Sequence, residues 1–144
     1  MTGRDFPVVI FHNPDCGTSR NVLAAIQAAG YTPDVIDYIR EGWTRPQLLA
    51  LFAAANLTPR EALRETKSPA TELGLLEPGV DAERLLAEML RHPILVNRPI
   101  VATPKGVALC RPSERVLGLL NRWPPASFLK EDGAPMNASG GQPS

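Results

Sequence analysis

The stretch Val8-Val9-Ile10-Phe11-His12-Asn13-Pro14-Asp15-Cys16-Gly17-Thr18-Ser19-Arg20-Asn21 carries the pattern that decides the fold. Its apolar run, Val8 to Phe11, leads into a tight polar loop. The helical spacing of Val22, Leu23, Ile26 and Ala29 follows. That is strand, loop and helix N-terminus, with a cysteine where the loop becomes the helix. The first backbone N–H groups of a helix lack intrahelical partners and form the positive end of the macrodipole. An anion can bind there, and a thiolate is stabilised there. A lone cysteine is ordinarily a small buried hydrophobe. Asp15, Gly17, Thr18 and Arg20 are poor company for a core residue, so Cys16 reads as a reactive thiolate. Gly17 lets the backbone approach a ligand, Thr18 and Ser19 offer hydroxyls, and Arg20 offers a charged fork. His12 either stabilises the thiolate as a cation or hydrogen-bonds the loop.

Working outward, the first strand is expected at about 7–11 and the first helix at about 18–29, with Gly30 as the residue just past its end. Residues 33–38 alternate apolar and polar positions, as a half-buried strand does. A strand–helix–strand unit of this length predicts a right-handed crossover and a parallel pair. A helical stretch follows over about 44–92. Thr44 with Gln47 reads as a capping box with Pro46 in the first turn, and Asn56 can end that helix. Thr58-Pro59-Arg60-Glu61 opens a second, short helix, and Ser68-Pro69 breaks the pattern. Asp81 caps a third helix, which stops near His92 because Pro93 follows. Residues 100–110 read as a β-hairpin turning at Pro104-Lys105-Gly106. Pro112-Ser113-Glu114 opens a last helix bearing Val116, Leu117, Leu119 and Leu120, and Trp123-Pro124-Pro125 ends it. From 134 to 144 the chain is small, polar and Gly/Pro-rich, which predicts a disordered tail.

The order βαβ, helices, ββα predicts an α/β fold. It is a thioredoxin-like mixed four-stranded sheet with a helical segment inserted between the βαβ and ββα halves. Residues 1–133 form one domain on this reading, with the insertion at about 44–92. In such folds a cis-proline lies just before the hairpin strand and beside the catalytic cysteine, so the Arg98–Pro99 bond is expected to be cis. Formal charge is balanced, with 15 Lys+Arg against 15 Asp+Glu. That argues against nucleic acid or an acidic membrane as the main partner. No apolar run is long enough to span a bilayer, and no signal-peptide core follows Met1. The 2 cysteines then read as free thiols of a cytoplasmic protein. No Cys/His cluster has zinc spacing, so no metal is expected.

Three arginines stand at breaks in the pattern: Arg64 in the short central helix, Arg98 before Pro99 at the mouth of the hairpin, and Arg111 after the returning strand. In the expected fold Arg98 and Arg111 border the loop carrying Cys16. Together with the thiolate they describe a cationic pocket for an oxyanion.

Four segments now carry a resemblance. They are His12-Asn13-Pro14-x-Cys16-Gly17-Thr18-Ser19-Arg20-Asn21, Ala62-Leu63-Arg64, His92-Pro93-Ile94-Leu95-x-Asn97-Arg98-Pro99-Ile100-Val101, and Leu109-Cys110-Arg111-Pro112-Ser113-Glu114. The chain closely resembles ArsC-type arsenate reductases of the glutathione/glutaredoxin-coupled family, over about residues 7–133. The resemblance implies Cys16 as nucleophile, His12 as an aid to thiol ionisation, and Arg64, Arg98 and Arg111 as oxyanion and intermediate ligands. It implies arsenate as substrate, glutathione as co-substrate with no bound cofactor, glutaredoxin as partner, and a monomer serving arsenic detoxification. Glu65 and Ala70 depart from the family pattern, which often has a basic residue and an aromatic there. A tyrosine-phosphatase-like loop would need five residues between Cys and Arg, and only three separate Cys16 from Arg20. The redox switch of Spx-like RNA-polymerase-binding regulators is a Cys-x-x-Cys pair, and Ser19 holds the second position here. An ArsC-like thiol reductase with another substrate is the remaining alternative.

Overall fold

The computed structural model describes residues 6–143. The chain divides into two compact units, one made of the residues up to Asp37 together with those from Arg98 onward, the other Tyr38–Asn97.

The first unit is built on a four-stranded sheet of order β2-β1-β3-β4. Strand β1 (Val9–His12) pairs in parallel with β2 (Asp34–Asp37), and His12 stands opposite Asp37. On its other side β1 runs antiparallel to β3 (Ile100–Thr103), which forms a hairpin with β4 (Gly106–Leu109). One parallel and two antiparallel pairings in this order are the expected thioredoxin-like sheet. Helix α1 (Gly17–Ala28) connects β1 to β2 and buries Ser19, Val22, Ala25 and Ile26, one face at helical spacing. It ends as the sequence predicts: Gly30 adopts φ +98, the left-handed region that glycine enters without a Cβ penalty. Val8, Ile10, Val22, Ile26, Tyr31, Val101, Val116 and Leu120 share one buried core.

The segment Ser113–Leu119 differs from expectation. It is a 3-10 helix rather than an α-helix. The cause lies in the spacing of its buried positions, Ser113, Val116 and Leu119. They recur every third residue, and side chains three apart eclipse in a 3-10 helix, whereas an α-helix would rotate them off the core. Described residues of the tail make hydrogen bonds back to the chain. Asn137 is buried; its Nδ2 donates to the carbonyls of Pro124 at 2.9 Å and Gly141 at 2.7 Å. The Trp123 backbone N–H donates to Gln142 Oε1 at 2.8 Å. These polar side chains satisfy backbone groups in the Gly/Pro-rich stretch, contacts of which an apolar pattern gives no sign.

The second unit begins with a short helix, α2 (Tyr38–Glu41), that the alternation of residues 33–38 conceals. Its Tyr38 hydroxyl donates to Val96 O at 2.8 Å. Helix α3 (Arg45–Ala55) carries the complete Thr44/Gln47 capping box and ends at Asn56 in the left-handed conformation. Helix α4 (Pro59–Ala62) carries the second capping box, Thr58 with Glu61. Asp81 caps α5 (Ala82–Arg91), which stops before Pro93. The inserted segment is therefore 38–97, wider than the 44–92 expected, because α2 and the single-turn 3-10 helix Pro93–Leu95 belong to it. Among the described residues no helix is long and apolar enough to cross a membrane.

Candidate active site

Cys16 is the N-cap residue of α1, with extended backbone (φ −104, ψ 122). The loop before it closes on itself. Its own N–H donates to Asn13 O at 3.0 Å, and the Asp15 N–H donates to the Asn13 side-chain oxygen at 2.9 Å. This Asx turn is the physical role of Asn13. Ser19 fastens the loop from inside the helix. Its buried hydroxyl accepts from the Asn13 N–H at 3.1 Å and lies 2.6 Å from His12 Nδ1. Gly17 and Thr18, half-buried, complete the first turn.

The expectations for His12 meet here. His12 is buried, and burial lowers its pKa below the ordinary value, although the Asp37 carboxylate opposes this. That direction favours the neutral imidazole at pH 7 and weighs against the cationic role. The loop-bonding alternative matches the geometry: His12 Nδ1 and the Ser19 hydroxyl share a hydrogen bond, and the Ser19 oxygen also accepts from the loop backbone.

Positive charge reaches the sulfur from the hairpin instead. Arg98, only 4% exposed, hydrogen-bonds the thiolate. Arg111 Nη1 stands 3.7 Å from Cys16 Sγ and donates to Arg98 O at 3.1 Å. The Arg98–Pro99 bond is cis, as expected, and so is Arg111–Pro112. Burial pushes the Cys16 pKa up, but the Ser19 backbone N–H, Arg98 and Arg111 together outweigh it, and the net shift is downward. Iodoacetamide alkylation of the native protein followed against pH is expected to turn on below the free-thiol value of about 8.5. A midpoint at or above that value would contradict the geometry.

Arg20 behaves differently from the oxyanion ligand the loop pattern suggests. Its Nε and Nη2 donate to the two carboxylate oxygens of Glu131 at 2.7 and 3.0 Å. Its Nη1 donates to Pro14 O at 2.9 Å. All three guanidinium nitrogens thus have protein acceptors. Sequence reasoning missed Glu131, which lies 111 residues from Arg20; the charged run Lys130-Glu131-Asp132 before Gly133 was its only local signal.

Arg64 belongs to the second unit. Its N–H donates to Leu95 O at 2.7 Å, next to the bridge between Leu63 and Val96, and its Nε donates to Thr66 O at 2.8 Å. It lines a cavity of about 420 Å³ with Arg60, Glu61, Glu65, Thr66 and Asn97. Cys110, the other free cysteine, is fully buried. Burial pushes its thiol up to about 12, so it is protonated and inert at neutral pH. Among the described residues no group of three or more His, Cys, Asp or Glu could hold a metal ion.

A depressed-pKa cysteine at a helix start, held by two arginines from the neighbouring hairpin, can act as a nucleophile toward an anionic electrophile. Comparison with known proteins identifies the group. The ArsC family profile matches residues 11–119. The chain belongs to the ArsC family. It is 69% identical to the arsenate reductase ArsI2 of Synechocystis sp. over 126 residues, covering 88% of this chain and 90% of the relative. It is 48% identical to an arsenate reductase of Escherichia coli, covering 88% of this chain and 89% of that one. Among solved structures, an arsenate reductase from Vibrio cholerae matches with a TM-score of 0.75 and 34% identity, over 80% of this chain and 98% of the other.

Proposed function

We propose that this ArsC-family protein reduces arsenate to arsenite, with Cys16 as nucleophile and glutathione and glutaredoxin as the source of electrons. The observation that carries the reading is the Cys16 thiolate, its pKa lowered at the start of α1 with Arg98 and Arg111 against the sulfur. The family match and relatives named arsenate reductase at up to 69% identity support it.

Arsenate is a tetrahedral oxyanion close to phosphate in size and charge. Arginines and helix amides would bind both, so the sulfur supplies the selectivity: arsenic(V) accepts a thiolate readily and phosphorus does not. The Cys16 thiolate attacks arsenic, forming an S–As bond and expelling hydroxide that leaves as water. The glutathione thiol displaces a second oxygen in the same way. A glutaredoxin thiolate then attacks the glutathione sulfur. The S–As bond to glutathione breaks with its electron pair left on arsenic, giving a glutaredoxin–glutathione mixed disulfide and arsenic(III) on Cys16. Hydrolysis releases arsenite and regenerates the thiol. Arg98 and Arg111 stabilise both the thiolate and the negative charge on the arsenic oxygens through these steps. His12 acts through Ser19 on the loop. The external reductant suits a chain whose second thiol is protonated and buried. Two free cysteines suit a reducing cytoplasm, where the protein works as a monomer.

The test is arsenate-dependent NADPH oxidation with glutathione, glutaredoxin and glutathione reductase supplied. Turnover well above the enzyme-free rate is expected, and a rate equal to that blank would sink the reading.

A further inference from the structure

The C-terminal segment is anchored through two adjacent residues, and one of them reaches the start of α1. Lys130 Nζ pairs with Glu114, three residues past Arg111. Glu131 reaches α1. Its carboxylate receives Arg20 through two parallel N–H bonds at 2.7 and 3.0 Å, and its backbone N–H donates to Asn21 Oδ1 at 2.9 Å. The carboxylate also lies over the first helical residue, with Oε1 3.6 Å from where a Cβ on Gly17 would stand. A turn closed by Gly133 N–H to Lys130 O at 2.9 Å and Lys130 N–H to Ala134 O at 2.8 Å holds the two anchors together. Arg20 is the link onward, because its remaining nitrogen holds Pro14 O in the loop before Cys16.

We propose that Glu131 is a positioning residue for the Cys16 nucleophile: it clamps Arg20 so that Arg20 fixes the 13–16 loop, and it cancels the Arg20 charge so that the oxyanion is met by the hairpin arginines. The proposal rests on the reading of Cys16 as nucleophile. It explains why a guanidinium four residues from that cysteine is fully engaged by protein acceptors. Stability is a weak reason for the pair, since both partners are about half exposed (44% and 52%) and exposed ion pairs add little to folding. A fork-to-fork pair does fix geometry, and small displacements of a reacting atom are costly to rate.

Glu131→Gln tests it, an isosteric change at an exposed site that leaves the fold intact. Two quantities are read: the pH midpoint of Cys16 alkylation by iodoacetamide, and kcat/KM for arsenate. Loss of the carboxylate leaves Arg20 uncompensated near the thiolate. The midpoint should fall, and alkylation below it should speed up by roughly 1.5–3-fold, as for a screened surface charge. The loop loses its clamp, so kcat/KM should drop by about 3–10-fold. A more ionised thiol that turns over more slowly is the signature of lost positioning, and a general loss of folding would not produce it. Glu131→Asp should recover part of both. Arg20→Gln combined with Glu131→Gln should cost no more than Arg20→Gln alone, because both act through one contact. If the midpoint or kcat/KM of Glu131→Gln equals that of the unaltered protein, or if the losses multiply in the double variant, the proposal is wrong. Should the unaltered protein lack arsenate reductase activity, the functional reading fails while the alkylation midpoints still decide the clamp.

Discussion

Cys16→Ser is expected to abolish arsenate reduction, leaving a rate no different from the enzyme-free blank, while Cys110→Ser keeps most of it. A serine hydroxyl at position 16 would face the same Arg98 and Arg111, but an alcohol stays protonated near neutral pH and forms no S–As bond. The site would still attract the oxyanion and do nothing with it. Cys110 is the contrasting case. Its sulfur is fully buried in the main core, its pKa is pushed up to about 12 by that burial, and its nearest polar contact is Ala108 O at 3.7 Å. Serine there buries a hydroxyl, at a cost of about 1–3 kcal/mol to stability, and touches no reacting atom. Activity with glutathione and glutaredoxin supplied should stay within about threefold once folding is checked by thermal melting, because only groups that act on the transition state change the chemical step. If Cys110→Ser were folded and as inactive as Cys16→Ser, the second thiol would be part of turnover and the external-thiol mechanism would be wrong.

Arg111→Ala is expected to have the next largest effect, a fall in kcat/KM of about 10²–10³-fold by analogy with removal of one oxyanion donor. One guanidinium does two jobs here. It stands 3.7 Å from Cys16 Sγ, and it donates to Arg98 O at 3.1 Å, bracing the backbone that carries the second arginine. Alanine removes a cation that helps hold the thiol ionised against the opposing push of burial. The alkylation midpoint should therefore rise as the rate falls. Arg111→Lys should recover only part, since an ammonium on a flexible stem lacks the rigid planar direction by which Nη1 meets both Sγ and Arg98 O. Steady-state kinetics and the alkylation profile of both variants check this together. A kcat/KM within threefold of the unaltered protein, or an unmoved midpoint, would leave the thiolate stabilisation to the Ser19 N–H and Arg98.

Much of this arrangement is legible along the chain because its causes are local. A capping box needs only residues three apart, so Thr44 with Gln47 and Thr58 with Glu61 announce their helices. Gly30, Asn56 and Pro93 mark ends through the backbone angles they allow or forbid. The cysteine at the start of α1 follows from an apolar run, a polar loop and a helical repeat in immediate succession. The less legible parts depend on partners far away. The period-three burial of Ser113, Val116 and Leu119 was masked by Leu117 and Leu120 beside them, which imitate an α-helical stripe. The contacts of the tail are made by side-chain amides rather than apolar residues, so hydropathy gives no sign of them.

The order of elements, the sheet's two halves and the place of Cys16 at the start of α1 can be read from the chain alone. Each rests on short-range sterics, capping or periodicity. Tertiary structure alone decided the charges and the pairings. Whether His12 is a cation depends on how deeply the packed protein buries it and on Asp37 across the parallel pair. Whether Arg20 serves a substrate or a neighbour depends on a carboxylate 111 residues away. Desolvation and Coulomb interactions act through space, and only folding brings those groups within their range.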